Sequence, residues 1–234
     1  MVAELCDITY DAVYNWSNPS LSHLYSSSLG VPAFTEACGH SACIPQPSTS
    51  QTLDSLSDRL MYRLAFRNRN GTQSLLLNHS VNVGSQGGLP VGIHWYELRA
   101  TPYNGRPPSP GPYGLAVYQA GTFNQSGSYA WMGSIAMDKV GDIALGYSFS
   151  SSSVFPSVGY TGRTPTDSLG TMETPKTIIS GTGYQTTSSR WGDYSSMSVD
   201  PTDDCTFWYT QQYIKTTGQL WNTRIASFKF PSCN

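Results

Sequence analysis

A chain of 234 residues with 13 Lys and Arg against 15 Asp and Glu carries a formal charge of -2, which excludes the basic footprint that nucleic acid or an anionic membrane surface requires. The 22 Gly, 15 Pro, 15 Tyr and 6 Trp, with charged residues at only 12%, favour strands and tight turns over helices. No window approaches the roughly 18 consecutive apolar residues of a membrane span, so the chain reads as a soluble all-β protein long enough to bury a sizeable core.

Residues 1–48 read as an irregular Pro/Ser-rich segment, with Thr9 to Trp16 as one orphan strand. The start, Met1-Val2-Ala3-Glu4-Leu5, lacks the basic-then-apolar order of a signal peptide. From residue 49 to 234 a pattern repeats three times. "MYRLAFR" (Met61 to Arg67), "MGSIAMD" (Met132 to Asp138) and "YSSMSVD" (Tyr194 to Asp200) alternate apolar and small or polar residues with the period of a half-buried strand. A polar turn follows each, then a second strand: "SLLLNHSV" (Ser74 to Val81), "DIALGYSF" (Asp142 to Phe149) and "CTFWYTQQY" (Cys205 to Tyr213). The third strands are "GIHWYELR" (Gly92 to Arg99), "SVGYTGR" (Ser157 to Arg163) and "TRIASFKF" (Thr223 to Phe230). Short stretches ahead of each unit, Ser50 to Leu53, Val117 to Phe123 and Thr177 to Thr182, are expected to be its inner strand.

A four-stranded unit repeated three times is the pattern of β-propeller blades, here lengthened by loops at Thr101 to Gly114 and Ser150 to Pro156. The alternative is a β-sandwich, which gives no reason for a repeated four-strand motif. Three blades do not close a ring of the usual 4–8. A half propeller exposes the apolar flanks of its terminal blades, so a homo-oligomer is expected, with a two-fold dimer as the simplest closure. The alternative is a fragment that stays open. Five Cys lack zinc-type spacing. Cys38 and Cys43 enclose a loop that a disulfide can close, while Cys205 with Cys233 or Cys6 are further candidates.

Several stretches carry a resemblance: "DSLSDRLMYRLAFR" from Asp54, "GIHWYELR" from Gly92, "WMGSIAMDKVGDIALGYSFSSSSVFPS" from Trp131 and "RWGDYSSMSVDPTDDCTFWYT" from Arg190. From about Thr35 onward the chain resembles the C-terminal half of large exported bacterial propellers of the sialidase-like, Asp-box kind, most of them without assigned function. The resemblance implies a periplasmic or extracellular ancestor. "SVDPTDDCTFW" (Ser198 to Trp208) is similar to a lengthened Asp box, and "AMDKVGDIA" (Ala136 to Ala144) keeps only its Asp138 and Gly141. In such boxes the Asp accepts backbone N–H bonds and the Trp packs between sheets, so Asp200, Asp203, Asp204 and Trp208 are expected to build the fold.

Removing those turns leaves Arg190, Trp191, Asp193 and Tyr194 of "RWGDY" for chemistry, expected toward the axial channel, with Arg190 and Asp193 either an ion pair locking neighbouring blades or Asp193 a metal ligand or general base. His79 and Glu97 stand in otherwise apolar strands, Asn78 precedes His79, and Asp58 borders an inner strand. No G-x-S-x-G, H-E-x-x-H, P-loop or G-x-G-x-x-G motif is present. Nothing groups three of Arg63, Arg99, Arg163 and Arg190 into the clamp a sialidase needs, so that activity is not expected. Six-bladed propellers of the paraoxonase and diisopropyl-fluorophosphatase kind hold Ca²⁺ in their axial channel. By that analogy the first reading is a Ca²⁺-dependent hydrolase of small phosphotriesters, esters or lactones, with Asp193, Asp58, Glu97 and Asn78 as metal ligands and Asp193, His79 and Arg190 as reacting groups. The alternative is a non-catalytic glycan- or protein-binding propeller whose exposed aromatic rings stack on its ligand.

Overall fold

The computed structural model describes residues 29–84, 91–101, 114–218 and 220–234. Among them the regular structure is eleven strands and one four-residue 3₁₀ turn, Ala37–His40. The strands form three antiparallel sheets, none of which closes into a barrel. The first is β1 (Ala65–Arg69), β2 (Thr72–Asn82), β3 (Val91–Thr101) and β4 (Gly114–Phe123), paired in that order. The second is β5 (Tyr129–Met137), β6 (Ile143–Ser150), β7 (Ser157–Arg163) and β8 (Lys176–Ile179), again in chain order. The third has three strands, β9 (Ser196–Val199), β10 (Phe207–Tyr213) and β11 (Asn222–Phe228).

The all-β class and the threefold repetition of antiparallel sheets therefore hold, but the expected phase of the repeat is corrected. Val117 to Phe123 pairs with β3, Ile93 opposite Phe123, as the last strand of the first sheet rather than the inner strand of the second. Lys176 to Ile179 likewise closes the second sheet against β7. Ser50 to Leu53 contributes only an isolated bridge, Leu53 to Ile44. The first repeat begins its strand at Ala65, because the Met61 N–H is drawn aside to the Asn78 carbonyl at 2.9 Å. Chain order alone leaves this phase open, since each short strand stands between two longer ones and can pair with either. Thr9 to Trp16, Cys6 and residues 102–113 lie outside the described residues.

The sheets stack face to face with the second in the middle. Leu76, Ile93 and Trp95 of the first sheet meet Ile135, Leu145 and Tyr147 of the second in one buried cluster. Ala144 and Val158 on the opposite face meet Met197, Phe207 and Tyr209 of the third. Every residue of β5 and β6 is consequently buried, which explains why these strands lack an apolar-out, polar-in alternation: neither face meets water. Each fully buried Leu, Ile or Phe contributes about 1.5–3 kcal/mol of transfer free energy.

Close stacking of twisted sheets needs small residues where large ones cross. The Tyr209 ring lies over Gly146, where a β-carbon would stand 2.5 Å from it. Asn78 reaches across from the first sheet to Gly133 in the same way. Beside Gly133 the β5–β6 register slips between Trp131 and Ser134, with Met132 at φ 52°. This bulge frees the Met132 carbonyl to accept the Ser195 hydroxyl at 2.9 Å and the Gln211 amide at 3.3 Å, both from the third sheet's side. A polar bond thereby joins two stacked sheets within a buried interface.

Residues before β1 form a lid over one end of the stack. Ala37, Ile44, Leu53 and Met61 pack with Trp131, Trp191 and Ile214, and the Trp191 indole donates to Ser148 Oγ at 3.0 Å. Two disulfides fasten the periphery. Cys38–Cys43 closes the loop around the 3₁₀ turn, and Cys205–Cys233, 28 residues apart, ties the last residues to the β9–β10 turn. A cross-link of that loop length contributes roughly 3–4 kcal/mol by restricting the unfolded chain.

Gly146→Ala tests the stacking directly. It is expected to lower unfolding free energy in urea by about 1–3 kcal/mol, and Gly146→Ala combined with Tyr209→Leu is expected to recover part of that loss.

Candidate functional site

One rim of the stack is built from the turns joining the first and second strands of each sheet, and an Asx side chain organises every one. Asn68 Oδ1 accepts the Gly71 N–H at 3.0 Å. Asp138 Oδ1 accepts three, from Val140, Gly141 and Asp142, at 3.0, 2.9 and 2.9 Å. Asp203 holds the N–H groups of Cys205 and Thr206 and the Thr206 hydroxyl. Asp200 accepts the Thr202 N–H at 2.8 Å and the Trp208 indole N–H at 2.9 Å. The three turns are also tied together. The Arg67 guanidinium makes a two-pronged ion pair with Asp204, and Lys139 donates its N–H to the Asp204 carbonyl and its ammonium to those of Asp203 and Asn234.

Asp200, Asp203 and Asp204 are thus turn and cross-link residues, as their Asp-box pattern suggested. Trp208 is a correction: it is 42% exposed on the outer face of the third sheet, and it serves the turn through its indole N–H instead of packing between sheets.

The carboxylates of this rim diverge electrostatically. N–H bonds from Thr206 and Cys205 hold Asp203 down to about 2, Thr202 and Trp208 lower Asp200, and Arg67 lowers Asp204. Asp138 moves the other way, up to about 6, through burial and then the neighbouring Asp142 carboxylate. Asp142 accepts the Ser232 hydroxyl.

The opposite rim, where β1 and β9 begin, holds an exposed aromatic pair. Tyr62 and Tyr194 are 51% and 48% exposed, with ring centroids 6.2 Å apart and planes inclined at 55°. Arg59, whose guanidinium lies near the Tyr194 side chain, pairs with Asp58 at 2.8 Å. Arg190 pairs with Asp193 at 3.2 Å on the residues just before Tyr194. Two tyrosine faces are therefore bordered by two ion pairs, all at the surface.

This surface gathers three of the six residues singled out by sequence, Asp58, Asp193 and Arg190, and leaves the other three elsewhere. Glu97 is buried in the first sheet and accepts three hydrogen bonds, from Ser74 at 2.8 Å, Arg99 at 2.7 Å and Gln119 at 2.6 Å, so its charge is already satisfied. Asn78 faces the second sheet across Gly133. His79, the next residue on the strand, faces the opposite way and bonds Tyr96 at 3.0 Å. Asp193, Asp58, Glu97 and Asn78 do not assemble into one ligand set, and among the described residues no three of His, Cys, Asp and Glu are grouped to hold a metal ion. Successive residues of a strand point to opposite faces, which separates Asn78 from His79 whatever their proximity in sequence. Tyr194 stands in the "RWGDY" stretch left for chemistry, whereas Tyr62 was not singled out by sequence. Their signal is position: each stands two or three residues before the first strand of its sheet.

The chain matches no family model, no curated protein and no solved structure. Among the described residues no helix is long and apolar enough to cross a membrane.

The raised Asp138 and the depressed histidines predict opposing pH slopes. A carboxyl raised in the folded state contributes stability at low pH that is lost as pH rises toward and through about 6. His79, lowered to about 4 by burial first and His94 second, contributes stability that is lost as pH falls from 6.5 toward 4. Asp142→Asn removes the repulsion and keeps an oxygen for Ser232. It is expected to raise stability at pH 7.5 by about 1–2 kcal/mol and, because burial still raises Asp138, to lessen rather than abolish the loss of stability between pH 4.5 and 6.5, read by urea midpoints across that range.

Proposed function

We propose that this chain is a propeller segment that binds carbohydrate without catalysis, through the rim carrying Tyr62 and Tyr194. The observation that supports this reading most is the exposed tyrosine pair bordered by Arg59–Asp58 and Arg190–Asp193. Aromatic faces take up the C–H face of a sugar ring, and rigid rings do so at small entropic cost. The flanking carboxylates accept hydrogen bonds from sugar hydroxyls, and the guanidinium groups donate them. The hydrolase reading has less support, because Asp58, Asp193 and Glu97 each already pair with a cation in the chain.

Tyr62→Ala and Tyr194→Ala separately are expected to weaken binding to the oligosaccharides retained on a glycan array by tenfold or more, about 1.4 kcal/mol each, with unchanged circular dichroism. A chain that retains no glycan, or one whose binding both substitutions leave intact, overturns the reading.

The propeller reading carries a second proposal, that a second copy completes the ring. Its support is the third sheet's outer face, where Trp208 and Ile225 are 42% and 65% exposed and β11 is solvent-exposed at five of seven positions. Face-on stacking buries the equivalent face of the second sheet, so this one is unfinished by the standard of its neighbours. Sedimentation velocity is expected to show a dimer that Ile225→Asp dissociates; a monomer at all concentrations overturns ring closure and leaves the sugar site as it stands.

A further inference from the structure

The face of the first sheet turned away from the stack carries an apolar field, Leu75, Leu77, Tyr96 and Leu98, with two histidines in it. His79 on β2 and His94 on β3 are register partners, an arrangement that brings β-carbons to about 4.5–5.5 Å. Their ring centroids are 5.9 Å apart. One nitrogen of each ring is bonded to a hydroxyl, His79 Nε2 with Tyr96 at 3.0 Å and His94 Nδ1 with Thr122 at 2.6 Å. The other nitrogens, His79 Nδ1 and His94 Nε2, are buried and have no hydrogen-bond partner among the described residues. The Ser80 backbone lies near the His79 ring and favours its charged form, without making a hydrogen bond of normal geometry to Nδ1.

A buried polar atom left unbonded is costly, and here two occur on rings of register partners. We propose that His79 and His94 form a transition-metal site, binding an imidazole-preferring divalent ion of the copper and zinc class through His79 Nδ1 and His94 Nε2.

Three features support the site. Metal–nitrogen bonds of about 2.0–2.1 Å put the centroids of two imidazoles sharing one ion roughly 5–6 Å apart, the separation of this pair. A ligating histidine characteristically gives its outer nitrogen to an oxygen, which fixes ring orientation and tautomer; Tyr96 and Thr122 stand in those positions. The rings are further held by Phe34, edge-on to His79 at 4.4 Å, and by Tyr96, parallel to it at 5.7 Å. Burial keeps both imidazoles neutral, so their lone pairs are open to a metal. Thr122 is exposed, so the hydroxyl behind His94 can be changed without entering the core. The site rests on none of the residues of the tyrosine rim.

The test is equilibrium dialysis of chelator-stripped protein against Cu²⁺ and Zn²⁺, with electron paramagnetic resonance of the copper form. One Cu²⁺ per chain is expected, with hyperfine coupling to two imidazole nitrogens and weaker binding of Zn²⁺. His79→Gln and His94→Gln are each expected to lose at least tenfold in affinity. Thr122→Val changes only an exposed hydroxyl and keeps both ligands, so it separates the site from folding: a roughly 10–100-fold loss in a normally folded chain supports the proposal. Absence of stoichiometric copper binding, or binding that survives in the His79→Gln/His94→Gln double variant, overturns it.

Discussion

Two-sided burial of the middle sheet is the constraint on which the rest of this protein depends. β5 and β6 are covered by the first sheet on one face and the third on the other, and no side chain on them meets solvent freely. Every polar atom they carry must then be satisfied internally or left at a cost. The slip in register at Met132 is one solution, since it turns a carbonyl out of the sheet to meet Ser195 and Gln211. Glycines at 133 and 146 are another, letting Asn78 and Tyr209 cross between sheets that would otherwise be held apart. Stability is concentrated there, and the two rims are free to carry charge and aromatic surface.

The rims divide the work by chemistry. On the turn rim the carboxylates bond to backbone N–H groups and to Arg67, so their charge is spent on holding the strand connections and on coupling one sheet to the next. On the other rim Asp58 and Asp193 pair with exposed arginines beside the exposed rings. A carboxylate that closes a turn cannot leave it without unfolding the turn, whereas a surface ion pair is worth about 0–1 kcal/mol and exchanges partners readily. The proposed sugar site uses the rim with the tyrosines. Asp138, raised by burial beside Asp142, is the exception on the turn rim and makes that rim sensitive to pH.

Much of the fold was legible in the sequence because strand periodicity and turn chemistry are local. The second and third strands of all three repeats lie within a residue or two of the segments expected for them, and the Asp-rich stretch from Arg190 to Thr210 owes its density to turns, at Asp200 and Asp203, and to the rim pair at Asp193. What misled was pairing. Val117 to Phe123 reads equally well as the end of one sheet or the start of the next, and only its hydrogen bonds to β3 decide. The candidate site was less legible still. Glu97 looked anomalous in an apolar strand, yet Ser74, Arg99 and Gln119 come to it from residues up to 23 positions away, a neighbourhood no local pattern describes.

The sequence by itself determined that this protein is all-β, that its strands recur in a threefold pattern and that its Asx-rich segments make turns, because backbone propensity, period-two alternation and N–H capping by a carboxylate act over a few residues. Only the tertiary structure decided which strands share a sheet, which cysteines bond, that Tyr62 and Tyr194 stand together, and that His79 faces His94 while Asn78 faces Gly133. Those outcomes depend on register and on which face of a sheet is covered, and both are set by contacts between residues far apart in the chain.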